Sequence, residues 1–207
     1  MIKVKICGIT NIEDAILAAE LGAWAIGFVF YPKSQRYITP QKAYKISKEI
    51  KKYEVKTVGV FVNESPEIIN QISKLVKLDY VQMHGIESAI DCDKLRLPFI
   101  KNIRNIDEIN IYNNAFAFLI DASDTQNWGG TGKLADWNLA KEIKKKNKYL
   151  ILSGGLSINN ISKALQEVKV AYVDVSSSLE ISPGIKKHKL MKEFFERIKN
   201  KEIKINE

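Results

Sequence analysis

Eight short apolar, β-rich runs recur along the chain, and their number and spacing restrict its fold more than any other feature. They are Ile2–Cys7, Trp24–Phe30, Val55–Val62, Leu78–Met83, Leu97–Asn102, Ala115–Asp121, Tyr149–Ser153 and Ala171–Val175. Many are continuous rather than alternating, as parallel strands covered on both faces require. Helical patterns lie between them. Thr39-Pro40 and Ser65-Pro66 each place a capping hydroxyl before a proline suited to the first helical position. After the second pair, Ile68, Ile69, Ile72, Leu75 and Val76 form one helical stripe, and Leu190, Met191, Phe194, Phe195 and Ile198 repeat that spacing near the end. A short, weakly patterned helix is expected near Ile106–Tyr112.

Strand-to-strand spacings of roughly twenty to thirty-five residues match repeated βα units with right-handed crossovers. Eight such units without a Pro/Gly/Ser-rich linker predict an α/β fold, a single-domain (β/α)8 TIM barrel over residues 1–199. The polar segment Lys199–Glu207 is expected to fray, residues 200–207 forming a C-terminal tail. An open doubly wound sheet is the alternative. It normally carries a glycine fingerprint in its first turn, and Gly8-Ile9-Thr10 is not one.

At 207 residues the chain is long enough to bury a full core, and 45% hydrophobic with 27% charged residues is ordinary for a soluble globular protein. No apolar run approaches the ~20 residues of a membrane span, so no membrane association is expected. The first residues lead into a strand rather than a signal segment. The two cysteines, Cys7 and Cys92, form no CxxC pair, which argues against a disulfide framework or zinc site and for a reducing cytoplasm. The net charge of +8 is compatible with a nucleic acid or with an anionic small molecule. The lysines are spread out, however, and the clusters Lys144-Lys145-Lys146 and Lys186-Lys187 read as solvated helix faces. No nucleic-acid partner is therefore expected.

In such a barrel the carboxyl ends of the strands share one mouth. There the sequence sets Cys7, Arg36 in the segment Tyr31–Tyr37, Asn63, His84, Asp121, Ser153-Gly154-Gly155 and Asp174-Val175-Ser176-Ser177-Ser178. This gathering of polar groups at one end points to an enzyme. Cys7 alone is equally a small buried hydrophobe, but it stands where a strand hands over to a helix whose capping box reads Thr10-Asn11-Ile12-Glu13. Gly154 and Gly155 expose backbone N–H groups at a helix start, and with Ser176 and Ser177 they suggest a phosphate pocket after the seventh and eighth strands, a plain turn being the alternative. Arg36 is either a surface residue or the cation of a mouth that takes a phosphorylated or carboxylated substrate. His84 is either structural or a substrate contact, and Cys92 is expected to be inert. Gly129-Gly130-Thr131-Gly132-Lys133 is no P-loop, because Leu134 stands where Ser or Thr is required; it is a lid or a surface turn.

In these motifs, together with Val58-Gly59-Val60-Phe61-Val62-Asn63, Val81-Gln82-Met83-His84-Gly85, Asp136-Trp137 and Ser182-Pro183-Gly184-Ile185-Lys186, the chain resembles the phosphoribosylanthranilate isomerases, (β/α)8 enzymes of tryptophan biosynthesis. The resemblance runs from the first strand to the last helix. It implies an Amadori rearrangement of a small phosphosugar substrate, with Cys7 as general base, Asp121 as general acid, and Arg36 and His84 as substrate contacts. Gly154, Gly155, Ser176 and Ser177 would form the phosphate grip. No cofactor and no metal is implied, and the assembly is expected to be a monomer or a homodimer.

The chemistry sets two electrostatic expectations. A carboxylic acid that protonates a furanose oxygen must hold its proton near neutral pH, so burial is expected to raise the pKa of Asp121. A thiol needs a cation or a helix N-terminus to ionise, and Gly8 with the helix near Thr10 is the expected source. Three positions depart from the family pattern: Ser178 where glycine is usual, Gln35 where proline is frequent, and Lys187 where an acid is common. Rival readings are another phosphosugar barrel, which would use two carboxylates where this chain offers Cys7, a non-catalytic ligand-binding barrel, and a basic nucleic-acid-binding protein.

Overall fold

The computed structural model describes residues 1–122, 135–146 and 149–206, with side chains described as far as residue 201. Each of the eight apolar runs contains a strand: β1 (Lys3–Cys7), β2 (Ala25–Val29), β3 (Lys56–Phe61), β4 (Tyr80–Met83), β5 (Phe99–Asn102), β6 (Ala117–Ile120), β7 (Leu150–Leu152) and β8 (Tyr172–Val175). The strands pair in parallel in chain order, and β8 returns to β1, closing the barrel. The eight main helices are α1 (Ile12–Glu20), α2 (Pro40–Ile50), α3 (Pro66–Val76), α4 (Ala89–Asp93), α5 (Glu108–Ile111), α6 (Trp137–Lys145), α7 (Ile161–Val168) and α8 (His188–Asn206). Between β8 and α8 the chain adds a 3-10 turn (Ser177–Leu179) and a small hairpin of β9 (Glu180–Ser182) and β10 (Ile185–Lys186). Among the described residues no helix is long and apolar enough to cross a membrane.

Local chemistry explains the helix starts. Thr39 accepts a hydrogen bond from the Lys42 amide and Ser65 from the Ile68 amide, each with proline next in sequence. The first helix departs from expectation. Its cap is Asn11, which accepts from the Asp14 amide, while the Thr10 hydroxyl donates to the Gly184 carbonyl in the β9–β10 turn. The stripe on α3 is only half an interior face. Ile69 and Val76 are buried, whereas Ile68 and Leu75 are exposed, because neighbouring residues lie about 100° apart on a helix and only one of each pair can face the barrel. On α8, Met191, Phe194, Phe195 and Ile198 are all buried. That helix also runs through the segment expected to fray, as far as Asn206, a stretch without Gly or Pro to stop it.

Strand residues alternate between the helical layer and the barrel interior. The lower interior is filled by Ala25, Val58, Ile100, Ala117, Leu119 and Ile151. Beneath them Trp24, Tyr80, Phe116, Tyr149 and Tyr172 form a closed ring of aromatic contacts, with centroids 4.8–6.3 Å apart. This floor closes the amino end of the barrel and leaves the carboxyl end for chemistry.

A buried ion pair fixes part of that upper rim. Lys101 on β5 donates to Glu87 Oε2 and to the Gly85 carbonyl, both at 2.7 Å, while Glu87 Oε1 accepts from the Asn63 and Gly85 amides at 2.9 Å. The ends of β3, β4 and β5 are thereby tied together next to His84. Lys101→Met strands the Glu87 carboxylate without its counter-ion and is expected to lower stability by ~3–5 kcal/mol, read from urea unfolding midpoints.

Candidate active site

Cys7, Arg36, His84, Asp121, Gly154, Gly155, Ser176 and Ser177 all line one cavity at the carboxyl end of the barrel. The fold thus brings these eight residues to one place, while Asn63 and Ser178, also set at the mouth by the sequence, do not line the cavity. The Gly129–Lys133 segment lies outside the described residues, and Cys92 lies on α4, buried, its thiol pushed up to about 11 by burial.

Asp121 follows β6 and meets His84 at the end of β4, with Oδ2 3.3 Å from the imidazole Nε2. Its other oxygen accepts from the Ala122 amide at 2.8 Å. The Gln82 side-chain amide nitrogen lies 3.0 Å from His84 Nδ1. With that amide assigned as donor, the proton sits on Nε2, facing the carboxylate. These contacts overturn the expected direction at Asp121. Burial alone raises its carboxyl, but the hydrogen bond and charge of His84, the Ala122 amide and the more distant Lys5 outweigh it. The carboxyl is held below the usual carboxylate range.

Cys7 ends β1 and points to the same interior face as Lys5 two residues earlier. Burial pushes its thiol above the ordinary range, and Asp174 adds to the rise, while Lys5 and Lys186 pull against it. The cations facing the thiol are therefore two lysines not expected in the site, rather than the helix N-terminus near Thr10. Lys5 is fully buried and donates to Asp174 Oδ2 at 2.9 Å. Asp174 raises the Lys5 ammonium above its usual value despite burial, and burial raises the Asp174 carboxyl, whose Oδ1 has no hydrogen-bond partner among the described residues.

Arg36 reaches the mouth from the loop after β2, but its fork is engaged. Its Nε and Nη2 donate to the two Glu180 oxygens at 2.8–3.1 Å. Glu180 Oε1 also accepts from Lys186 Nζ at 2.8 Å, and that Nζ donates in addition to the carbonyls of Cys7 and Ser176. Burial raises the Glu180 carboxyl, but Arg36 and Lys186 together hold it below the carboxylate range. Lys186 is consequently not the solvated helix residue expected from its cluster. It lies buried in β10, because the hairpin folds back over the barrel rim and Asp14 anchors it, accepting from the Lys186 amide and lying 2.8 Å from His188 Nε2.

The loop after β7 turns through Gly154 and Gly155, both at positive φ (76° and 62°). A Cβ on Gly154 would stand 2.5 Å from the Ala122 amide nitrogen, so that position requires glycine. The neighbouring β8 loop is braced rather than free. Ser176 Oγ donates to the Cys7 carbonyl, and Ser178 Oγ donates to the Leu156 carbonyl. Ser178, a departure from the family pattern, therefore links the two loops proposed for the anion.

A model of the N-(5'phosphoribosyl)anthranilate (PRA) isomerase family matches residues 4–197. The chain belongs to this family. The N-(5'-phosphoribosyl)anthranilate isomerase of Thermotoga petrophila is 45% identical over 206 residues, covering 96% of this chain and 99% of that protein. Monomers generated from the dimeric phosphoribosylanthranilate isomerase of Thermotoga maritima superpose with a TM-score of 0.83 at 40% identity, over 97% of this chain and all of that one. A family structure in complex with reduced 1-(o-carboxyphenylamino)-1-deoxyribulose 5-phosphate gives 0.82 at 41% identity, again over 97% and 100% of the two chains.

Sequence reasoning missed Lys5, Glu180 and Lys186 as parts of the site, and set Asp174 at the mouth without a role. For Lys5 and Asp174 a signal existed: each stands two residues before a residue that was identified, and so shares its face of the strand. The anion site has a direct test. Inorganic phosphate titrated calorimetrically is expected to bind the protein, and Gly155→Asp, which sets a carboxylate in the glycine turn, is expected to weaken it at least about tenfold, with folding of the variant checked by circular dichroism.

Proposed function

We propose that this protein converts N-(5′-phosphoribosyl)anthranilate into 1-(2-carboxyphenylamino)-1-deoxyribulose 5-phosphate, an Amadori rearrangement of tryptophan biosynthesis, as a cytoplasmic monomer or homodimer. The observation that carries the reading is the placement of a thiol and a carboxyl group, Cys7 on β1 and Asp121 after β6, around one cavity that the Gly154-Gly155 turn also lines. Membership of the family and the product-like ligand of a relative agree with it.

In this mechanism the phosphate rests on the Gly154-Gly155 turn beside Ser176 and Ser177, with Arg36 and His84 as further substrate contacts. Asp121 gives a proton to the furanose oxygen, the ring opens, and the anthranilate nitrogen forms a Schiff base with C1. That cation acidifies the C2 hydrogen, which the Cys7 thiolate removes. The resulting enolamine becomes the aminoketone by losing its hydroxyl proton and gaining one at C1. Return of the proton from Cys7 to Asp121 resets the pair, so the reaction is proton-neutral.

The resting protonation runs opposite to these roles. Cys7 is held as a thiol and Asp121 as a carboxylate, whereas the reaction begins from thiolate and acid. The two arrangements differ only in where one proton sits and carry the same net charge. Phosphate and carboxylate of the substrate bring negative charge into the mouth, which favours protonation of the carboxyl groups there.

Loss of substrate fluorescence measures turnover directly. Cys7→Ala is expected to reduce it almost to background with product-analogue binding retained, and Cys92→Ala to leave it unchanged. Asp121→Asn is expected to slow it by ~10² or more. Equal losses from the two cysteine variants, or near-normal turnover by Asp121→Asn, would overturn the assignment.

The pH dependence follows from the same pair. Below the depressed Asp121 titration both groups hold protons, and above the raised Cys7 titration neither does. In between, one proton is shared and the reactive fraction is independent of pH. A plot of log kcat/KM against pH is expected to show a broad plateau spanning neutrality, falling on the acid side below the usual carboxylate range and on the basic side above the usual thiol range.

A further inference from the structure

Among the described residues, the barrel interior below the mouth is largely apolar, but it holds Gln82 and, under Cys7, the ion pair of Lys5 with Asp174. Lys5 and Asp174 are register partners across the β1–β8 seam, and Cys7 is the register partner of Gly27 on β2. Gly27 makes a specific space. A Cβ there would stand 2.9 Å from Cys7 Sγ and 3.2 Å from Lys5 Nζ, so the missing side chain is what lets the ammonium and the sulfur come together. Asp174 spends one oxygen on Lys5, and its other oxygen is buried without a partner among the described residues.

A pair of this kind is a poor source of stability. The neighbouring interior positions, Ala25, Val58, Ile100 and Ala117, show that the layer packs with apolar residues, and a buried ion pair is often no better than such packing. Its position under the sulfur gives it another use. We propose that Lys5, held in place by Asp174, is the positioning counter-ion of Cys7, keeping the proton-accepting form of the sulfur in the barrel. The proposal deepens the reading of Cys7 as general base and rests on it. No atom is transferred to Lys5. Its ammonium lies between the thiolate and the Asp174 carboxylate before C2 deprotonation, and remains paired with Asp174 once the sulfur has taken the proton.

Other charged groups also act on the sulfur. Lys186 of β10 faces it with a second positive charge, while Asp174 opposes Lys5. Asp121 and His84 act on Asp174 from β6 and β4, and Arg36 packs its side chain on Gly8 with its charge engaged by Glu180. Removal of Lys5 and neutralisation of Asp174 should therefore shift the thiol in opposite directions. A purely structural pair would not do this, since breaking it from either side would loosen the same strands.

Iodoacetamide alkylation of Cys7, followed across pH by mass spectrometry of the peptide that carries it, reads the thiolate without reference to turnover. For Lys5→Met the alkylation midpoint is expected to rise by about one unit, with roughly tenfold slower labelling at neutral pH. For Asp174→Asn it is expected to fall. In steady-state kinetics Lys5→Met should lose kcat with KM nearly unchanged, the plateau falling across its whole width and its basic limit moving to higher pH. Movement of both midpoints in the same direction, or an unchanged midpoint and pH profile in Lys5→Met, would overturn the proposal. Should Lys5→Met fail to fold, judged by circular dichroism, the direction of the shift in Asp174→Asn decides alone. If Cys7→Ala kept full turnover, the general-base reading would fail, while the alkylation midpoints would still report whether Lys5 pairs with the sulfur.

Discussion

Pairing of β8 with β1 closes the barrel, and most of the functional contacts hang on that seam. Lys5 meets Asp174 across it, the Ser176 hydroxyl donates to the Cys7 carbonyl, and Lys186 Nζ binds the carbonyls of both Cys7 and Ser176. Lys5 and Cys7 lie 169 to 179 positions before these partners, so the site exists only when the whole barrel has formed. A (β/α)8 barrel can change its rim loops without disturbing its layers, but residues on the closing seam are shared between fold and chemistry. Substitutions there should affect stability and turnover together.

The hairpin of β9 and β10 extends this dependence to the mouth. Glu180 gathers Arg36 and Lys186 on one carboxylate, and Asp14 ties the Lys186 amide and His188 to the start of α1. The guanidinium is thus fixed in orientation, which would leave little rotamer entropy to lose in the substrate contact proposed for it. The same engagement reduces the positive charge it offers, because Glu180 remains ionised beside it. Orientation is gained and raw attraction is given up, an exchange that suits discrimination between ligands more than tight binding.

The strands were legible because buried parallel strands need continuous apolar runs, and each run extends past its strand by only a residue or two, as at Trp24–Phe30 around Ala25–Val29. The polar groups of the mouth were legible for a related reason: a run that ends in Cys, Asp or Gly-Gly stands out against an apolar strand. Hidden from sequence were the features decided by distant partners. The Thr10 hydroxyl went to Gly184 rather than to a capping box, Lys186 was drawn out of an apparently solvated cluster, and Asp121 met an imidazole from another strand that reversed the effect of burial. On α3 the apolar spacing was real, but it could not say which of two adjacent isoleucines faces inward.

The electrostatics of the interior follow a single logic. Moving a charge out of water costs several kcal/mol unless a partner receives it, and each ionisable group along the inner wall has one: Lys5 has Asp174, His84 has Asp121, and Lys186 has Glu180. Among the described residues of this wall, Cys7 is the one that faces cations without a carboxylate of its own to balance. It is also the group that must lose its proton for the proposed chemistry to begin. Fixed charges can lower the cost of that ionisation without themselves reorganising, which water in an open mouth would have to do. Burial still dominates at rest and favours the protonated thiol, even with Lys5 and Lys186 pulling against it. A thiol held in reserve in this way is protected from alkylation and oxidation while the site is empty, since both act on the thiolate.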